Sequence, residues 1–314
     1  MANSPSTINT IELAETMTAE LEKSLLQKAV TGVFSDGGLK AKFMGNGIVI
    51  LPEVNMSAMG DYDRDTGFAK GAITLSRTPF QLTQDRGRSF QLDSQDADES
   101  GIGKLAGEIM GELVRTKVVP EVDAYVLSKI VGFAAAQDGH VEAVTGAVDA
   151  NTIFSKLMSH MIEVQDAAGY DQELICFVDS KVYAALQSSN EVARQLVVTD
   201  FKGGEITTKV QSYNGMPIIP VTSARMKSAY TFRDGNTGGQ EDGGFAPASG
   251  AKNVGFIIMP KKAANLVKKT EKVRIFEPSK NLDMDAWKMD YRLYYDVFIR
   301  NIYKDAIRAL TYTA

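Results

Sequence analysis

The sequence predicts an α+β protein organised by one long helix and one long strand, and three patterns predict it. Ile102, Leu105, Ile109 and Leu113 are spaced three, four and four residues apart, with Ala106, Met110 and Val114 beside them. That helical stripe runs on past Pro120 through Val122, Tyr125, Ile130 and Phe133. From Trp287 to Arg300 the odd positions are Trp287, Met289, Tyr291, Leu293, Tyr295, Val297 and Ile299, while Lys288, Asp290, Arg292, Asp296 and Arg300 carry charge between them. Such a period of two is a strand, about 45 Å long at roughly 3.3 Å per residue. Between these elements, residues 149–262 alternate helical and strand patterns, as an α/β domain does.

In chain order, residues 8 to 30 read as an amphipathic helix on Ile11, Leu21, Leu25 and Leu26, ended by Gly32 and Gly37-Gly38. GIVIL at 47–51 is a short strand stopped by Pro52. Residues 53–92 hold Gly60, Gly67, Gly71 and Gly87 and many charges. Within them, Phe80 and Leu82 alternate with Gln81 and Thr83, and Phe90 and Leu92 with Ser89 and Gln91. QDRGR lies between the two runs, and Gly87 is free to take a positive φ, so a hairpin turning there is expected. Pro79 cannot donate to a ladder, which puts its strand at an edge. A long, polar, two-stranded arm does not stabilise itself in water, so it must lie on something.

RSFQLDSQDADES, residues 88–100, then gathers Asp93, Asp96, Asp98 and Glu99 ahead of the helical stripe. Carboxylates in a first turn offset the positive helix end, with Ser94 or Asp96 as the N-cap. The other reading is a metal site in a two-domain α/β enzyme, which would need a second ligand set that nothing nearby supplies. A helix over all of 96–136 would run about 60 Å, a spine rather than a globule's helix. Pro120 either kinks it or begins a second helix. Further on, TIFSKLMSHMIEV is a helix, ELICFV a buried strand, and SKVYAALQSS a helix capped by Ser180. KVQSYNGMPIIPV is strand, Asn-Gly turn, strand, and NVGFIIMP is another strand. Six glycines between Asp234 and Gly250 mark a mobile surface loop. KVRIFEP, 272–278, is the expected antiparallel partner of the long strand.

Composition narrows the function. The 314 residues are 44% apolar and 23% charged, as in ordinary globular chains. A net charge of −5 argues against a protein held mainly by nucleic-acid phosphates. The single cysteine, Cys176, excludes an intrachain disulfide, fits a reducing compartment, and sits in the apolar run LICFV as a core residue. No signal-peptide pattern opens the chain, and aliphatic runs such as Ile48–Leu51 and Phe256–Met259 are far too short to span a bilayer. There is no GxGxxG after a strand, no GxxxxGKS/T, no HExxH and no GxSxG. His140 and His160 belong to no constellation, and His160 reads as a packed or surface residue. Lys261, Lys262, Lys268, Lys269, Lys272 and Arg274 form a basic run suited to solvent or an inter-subunit face, with nucleic acid as the other use. No catalytic residue, cofactor or metal is expected. A spine, a long strand and projecting segments that are unstable alone describe a subunit completed by its neighbours.

Four segments, in their order and spacing, resemble the major capsid proteins of tailed bacteriophages, with the Hong Kong 97 capsid fold. They are GDYDRDTGFAKGAI (60–73), QDRGRSFQLDSQDADES (84–100), VRTKVVPEVDAYVLSKI (114–130) and FEPSKNLDMDAWKMDYRLYYDVFIRN (276–301). The resemblance implies an N-terminal arm (1–51), an extended β-hairpin loop (52–93) and a peripheral domain with a spine helix (94–139). An α/β axial domain (140–262) and C-terminal peripheral strands (263–314) would follow. It implies a structural subunit, not an enzyme, forming pentamers and hexamers of an icosahedral or prolate shell. That shell would enclose double-stranded DNA, contacted non-specifically. The expected partners are a separate scaffolding protein, a portal and a decoration protein, with no membrane. Assembly in the host cytoplasm and a place in the virion follow. Arg64, Lys70, Arg77, Asp85, Arg86 and Arg88 are the candidate inter-subunit contacts, Arg86 and Arg88 at the hairpin tip facing carboxylates of the next subunit. Only about fifty residues precede the loop, so a built-in scaffold and its cleavage are not expected. Lys70 is the only lysine between Lys42 and Lys104, hence the only loop candidate for a cross-link to an asparagine next door. An encapsulin-type compartment shell, which shares the fold, is the alternative.

Overall fold

One helical column organises the chain in the computed structural model, which describes residues 29–36, 42–43, 48–95, 106–188, 197–203, 206–281 and 284–313. Helix α1 (Ala106–Leu113), a π-turn (Val114–Val118) and helix α2 (Val119–Ala135) follow one another with 8, 5 and 17 residues, together about 45 Å. The joints stay helical: Leu113 has φ −56° and ψ −50°, Val118 φ −71° and ψ −49°. Pro120 has no N–H for the carbonyl four residues back, and its ring crowds that carbonyl. The chain passes it by widening the preceding turn, where sequence offered a kink or a fresh start. Ten of the 17 residues of α2 are buried, so elements pack on it from several sides. Asp96, Asp98 and Glu99 lie outside the described residues. Asp93 ends a strand, and its Oδ1 accepts the Gln95 N–H at 2.9 Å.

On one side lies an outer sheet of β4 (Gln84–Asp93), β13 (Ala264–Phe276) and β14 (Ala286–Ile299), in the order β13-β14-β4. Both pairings are antiparallel, and 272–276 faces 288–292 as expected. Val273 of β13 and Met289, Tyr291, Leu293, Tyr295 and Val297 of β14 join one buried core with Val122, Val126 and Ile130 of α2.

The expected hairpin through QDRGR does not form. β3 (Ile73–Gln81) pairs with β2 (Ile48–Met56), beside the short β1 (Lys42–Phe43), while β4 pairs with β14 along its whole length. Period two marks Ser89–Leu92 as strand but says nothing about its partner, and β14 offers ten successive register positions that carry the strand back through QDRGR to Gln84. Gly87 sits mid-strand opposite Arg292, where an added Cβ would lie 2.8 Å from the Tyr291 carbonyl oxygen. It is there for close backbone approach, not for a positive φ. The hairpin closes instead through residues 57–72, and Pro79 lies in β3 at the sheet's edge.

Beyond α2 stands a seven-stranded sheet in the order β5-β15-β12-β6-β9-β8-β7. Its strands are β5 (Val141–Thr145), β6 (Leu174–Asp179), β7 (Val197–Gly203), β8 (Ile206–Tyr213), β9 (Met216–Val221), β12 (Asn253–Pro260) and β15 (Arg308–Thr313). The β5–β15 and β6–β9 pairs are parallel. Every residue of β6 is buried because both faces are covered. Ile175 and Phe177 join the core of α2, while Cys176 and Val178 pack with Ile153, Leu157 and Met161 of α3 (Ala150–Ala168). Helix α4 (Ser180–Ser188) adds Val182 and Leu186 to that second face. Asn214 (φ 48°) and Gly215 (φ 80°) make the expected tight turn between β8 and β9. The glycine-rich stretch is partly ordered as a ladder of β10 (Tyr230–Phe232) with β11 (Phe245–Pro247).

Two further expectations change. Residues 263–314 do not all stay with the outer sheet, since β15 enters the seven-stranded sheet between β5 and β12. Its Ala309, Leu310 and Tyr312 are buried there, so apolar burial decides the placement. Gly32 does not end a helix but lies inside a 3-10 segment, Val30–Asp36, while residues 8–28 are outside the described part. That segment is tied to α2 by the fully buried Asp123, which accepts from Thr31 N (3.0 Å), Thr31 Oγ1 (2.7 Å) and Arg225 Nη1 (3.0 Å). Burial pushes the Asp123 carboxyl pKa up, and those donors oppose the shift.

Candidate assembly surface

The β2–β3 hairpin is seated at its root and carries exposed apolar side chains farther out. At the root, Val49, Leu82, Val267 and Phe298 form a small buried cluster of their own, with Phe80 and Tyr294 packed against it. The Phe80 and Phe298 rings stand 5.1 Å apart. Beside this socket lies Asp296, with no exposed side-chain surface. Its Oδ2 accepts from Thr83 N (3.0 Å) and Thr83 Oγ1 (2.9 Å), its Oδ1 from Tyr125 Oη (2.9 Å) and Lys129 Nζ (2.5 Å). Burial pulls the Lys129 pKa down, but the Asp296 carboxylate outweighs it and the net shift is upward. Sequence periodicity put Asp296 on the solvent face with Lys288 to Arg292. The missed signal is that its neighbours on that face, Tyr294 and Phe298, are aromatic.

Past the root, Met56, Met59, Tyr62, Phe68, Ile73 and Leu75 are between 57% and 100% exposed. Six large apolar side chains are thus exposed on one hairpin, and exposed apolar patches generally mark interaction sites. The charge-led sequence reading passed over them. The tip nevertheless has a built shape. Gly67 N donates to Asp63 O at 2.8 Å, with Gly67 at φ 82°, and Asp63 Oδ1 accepts from Asp65 N (2.6 Å) and Thr66 N (3.1 Å). Those backbone donors hold the Asp63 carboxyl below the usual range. Tyr62 and Phe68 meet edge-on at 4.8 Å, and Ser57 Oγ closes the loop's base by accepting from Ala72 N at 2.9 Å.

The six charged candidates divide. Arg64 and Lys70 are exposed within the hairpin's closing loop. Arg77 lies in β3 opposite Pro52. Asp85, Arg86 and Arg88 are not at the tip but in β4, and their partners are in their own chain. Arg292 Nε and Nη2 grip Asp85 at 2.9 and 2.5 Å, which holds the Asp85 carboxyl below its ordinary range. Arg86 donates to Glu121 Oε1 of α2 (2.6 Å) and to the carbonyls of Arg233 (2.8 Å) and Gly244 (3.3 Å). Arg88 donates to Glu241 O at 2.9 Å. These two arginines fasten β4, α2 and the β10–β11 ladder to one another.

Both histidines lie along the seam of β5, α3 and β15. His160 Nε2 is 2.9 Å from Glu142 Oε2, Lys156 also pairs with Glu142, and Arg308 Nε donates to Glu163 Oε2 at 2.8 Å. Burial first, and Arg308 next, push the His140 pKa down. Cys176 is buried, and burial pushes its thiol pKa far up, so it is inert. Among the described residues no cluster of three or more His, Cys, Asp or Glu could hold a metal ion. Nor is any of their helices long and apolar enough to cross a membrane.

No protein-family model matches the chain, and no curated protein matches its sequence. Solved structures do match. A chain in the capsid structure of the cyanophage P-SCSP1u is 16% identical with a TM-score of 0.57, over 87% of this chain and 85% of that one. A chain of Mycobacterium phage Che8 is 14% identical with a TM-score of 0.54, over 90% of each. A chain from the asymmetric unit of the bacteriophage PhiM1 mature capsid is 16% identical with a TM-score of 0.51, over 88% of each. At such identities the likeness is one of fold. The chain has, over nearly its whole length, a fold found in phage capsids, as the resemblance in its sequence implied.

Proposed function

We propose that the chain is the major capsid protein of a tailed bacteriophage, arranged in the Hong Kong 97 manner. The observation that carries this reading is the bare apolar hairpin on a fold shared almost end to end with phage capsid chains. In this reading the β2–β3 hairpin is the extended loop that lies over an adjacent subunit, and α1–α2 is the spine. The outer sheet is the peripheral domain, and the seven-stranded sheet is the axial domain that meets its copies in pentamers and hexamers. Burying an apolar side chain fully contributes about 1.5–3 kcal/mol. One hairpin therefore supplies a modest gross attraction, most of it offset by the cost of association. Repeated around a closed shell, such heterologous contacts become strong together. Arg64 and Lys70 are placed to add polar contacts at the same interface. DNA would be held inside without sequence reading, in keeping with the net charge of −5. A separate scaffolding protein, a portal and a decoration protein complete the proposed set of partners, with assembly in the bacterial cytoplasm and the virion as destination.

The test is sedimentation and negative-stain imaging of the purified chain, alone and co-expressed with the adjacent genes. Capsomers and closed particles are expected. A monodisperse monomer under every assembly-promoting condition would overturn the proposal, and particles loaded with an enzyme would mark a compartment instead.

A further inference from the structure

Only Leu82 and Thr83 separate β3 from β4. β4 is bonded to β14 along ten register positions, so it belongs to the rigid body, while β3 belongs to the projecting hairpin. The two-residue link is held from both directions. Leu82 fills the apolar socket, and its carbonyl accepts the Tyr294 hydroxyl at 3.2 Å. Thr83 gives both its N–H and its hydroxyl to one carboxylate oxygen of Asp296, whose other oxygen is bound by Tyr125 and Lys129 of α2. The hydroxyls of Thr83 and Tyr125 are themselves 3.0 Å apart.

We infer that Thr83 is a positioning residue: through Asp296 it refers the hairpin's exit angle to the spine helix, and so sets the curvature of the shell. The inference rests on the capsid reading above. The geometry supports it by leverage. The nine residues of β2 extend about 30 Å at roughly 3.4 Å each, so a tilt of about 5° at the root moves the far end by about 2.5 Å. An apolar contact holds within about 4.0–4.5 Å between heavy atoms, so that displacement is enough to unseat Met59 or Phe68 from a neighbour. Val49 and Phe80, one register pair of the ladder, touch the body at the root, and farther out Met59, Phe68 and Ile73 are exposed. In chain order the six bare side chains begin at Met56, at the end of β2 away from the root. The pin is also separable from the fold, because Thr83 is itself exposed and its hydroxyl can be removed without opening the core.

The test uses Thr83→Val, which keeps the shape and removes the hydroxyl, and Thr83→Ser, which keeps the hydroxyl. Two readouts are taken on the full chain. In the unassembled protein, amide exchange across residues 73–83 is expected to speed up about ten-fold in the valine variant and to return to the parent rate in the serine variant. In assembly reactions imaged by electron microscopy, the valine variant is expected to give several-fold more open, tubular or wrongly sized particles, and serine the parental distribution. Parental exchange in Thr83→Val would overturn the pin. Faster exchange with an unchanged size distribution would overturn its link to curvature. If the parent chain forms no particles, the capsid reading fails, and the exchange experiment still decides whether Thr83 holds the root.

Discussion

Replacing Asp296 by alanine removes the one acceptor on which strand, hairpin link and spine converge. Its side chain is wholly buried, and it accepts from Thr83, Tyr125, Lys129 and the Val297 N–H. Breaking a buried ion pair by deleting one partner costs about 3–5 kcal/mol. Lys129 keeps 37% of its side chain exposed and can turn to water, which places the expected loss at the low end, about 3 kcal/mol. That is a large share of the roughly 5–15 kcal/mol that holds a domain folded. Asp296→Asn keeps the shape and one acceptor, so about 1–2 kcal/mol is expected. The assay is urea unfolding of the unassembled protein followed by circular dichroism, with the midpoint falling at constant slope. A second signature is alkaline. The folded Lys129 pKa is raised, so the native state keeps a proton that the unfolded chain releases near pH 10.4. The contribution is full below that pH and fades as pH rises through the folded value, and the alanine variant should lose this slope. A loss under about 1 kcal/mol in Asp296→Ala, with the alkaline slope intact, would refute the reasoning.

Gly87→Ala forces a Cβ to within 2.8 Å of the Tyr291 carbonyl, so β4 must part from β14, with an expected cost of about 1–3 kcal/mol in the same unfolding assay. His140 carries a lowered pKa, so between that value and about 6.5 the unfolded chain binds more protons. Stability is therefore full above pH about 6.5 and declines as pH falls, and unfolding midpoints measured from pH 8 to 5 should show a shallower decline in His140→Gln. The double substitution Met59→Ser with Phe68→Ser touches only bare side chains, so particle yield should fall while the melting temperature of the unassembled chain stays within about 2 °C.

What could be read from sequence was what repeats locally. The helical stripe from Ile109 past Pro120 to Phe133, the alternation over 287–300 and the Asn-Gly turn each depend on neighbours a few residues away, and each is where the pattern put it, while Ile102 and Leu105 lie outside the described residues. Partnership was less legible. The run 89–92 alternates equally well against β3 or β14, and Gly87 just before it drew the turn to the wrong place. Asp296 looked like a solvent-facing charge because the group that covers it, the hairpin root, lies more than two hundred residues earlier. Arg86 and Arg88 were recognised as interaction residues, but their acceptors are mostly backbone carbonyls of the glycine-rich loop, which carry no side-chain signature. The apolar residues of the tip were visible as letters. Their exposure was not, because it depends on the absence of anything packed above them.

The position of β15 has a bearing on synthesis. β5, made early, has β15 as its sole strand neighbour among the described residues, and the residues that supply it emerge long afterwards. Until then the flank of β12, an almost wholly apolar strand, stands open as a template for any passing extended chain. Ribosome stalling or proteolysis upstream of Arg308 would therefore leave a sticky half-product rather than a smaller folded chain. Chaperone demand during synthesis is therefore expected to track the time spent between Pro260 and Arg308.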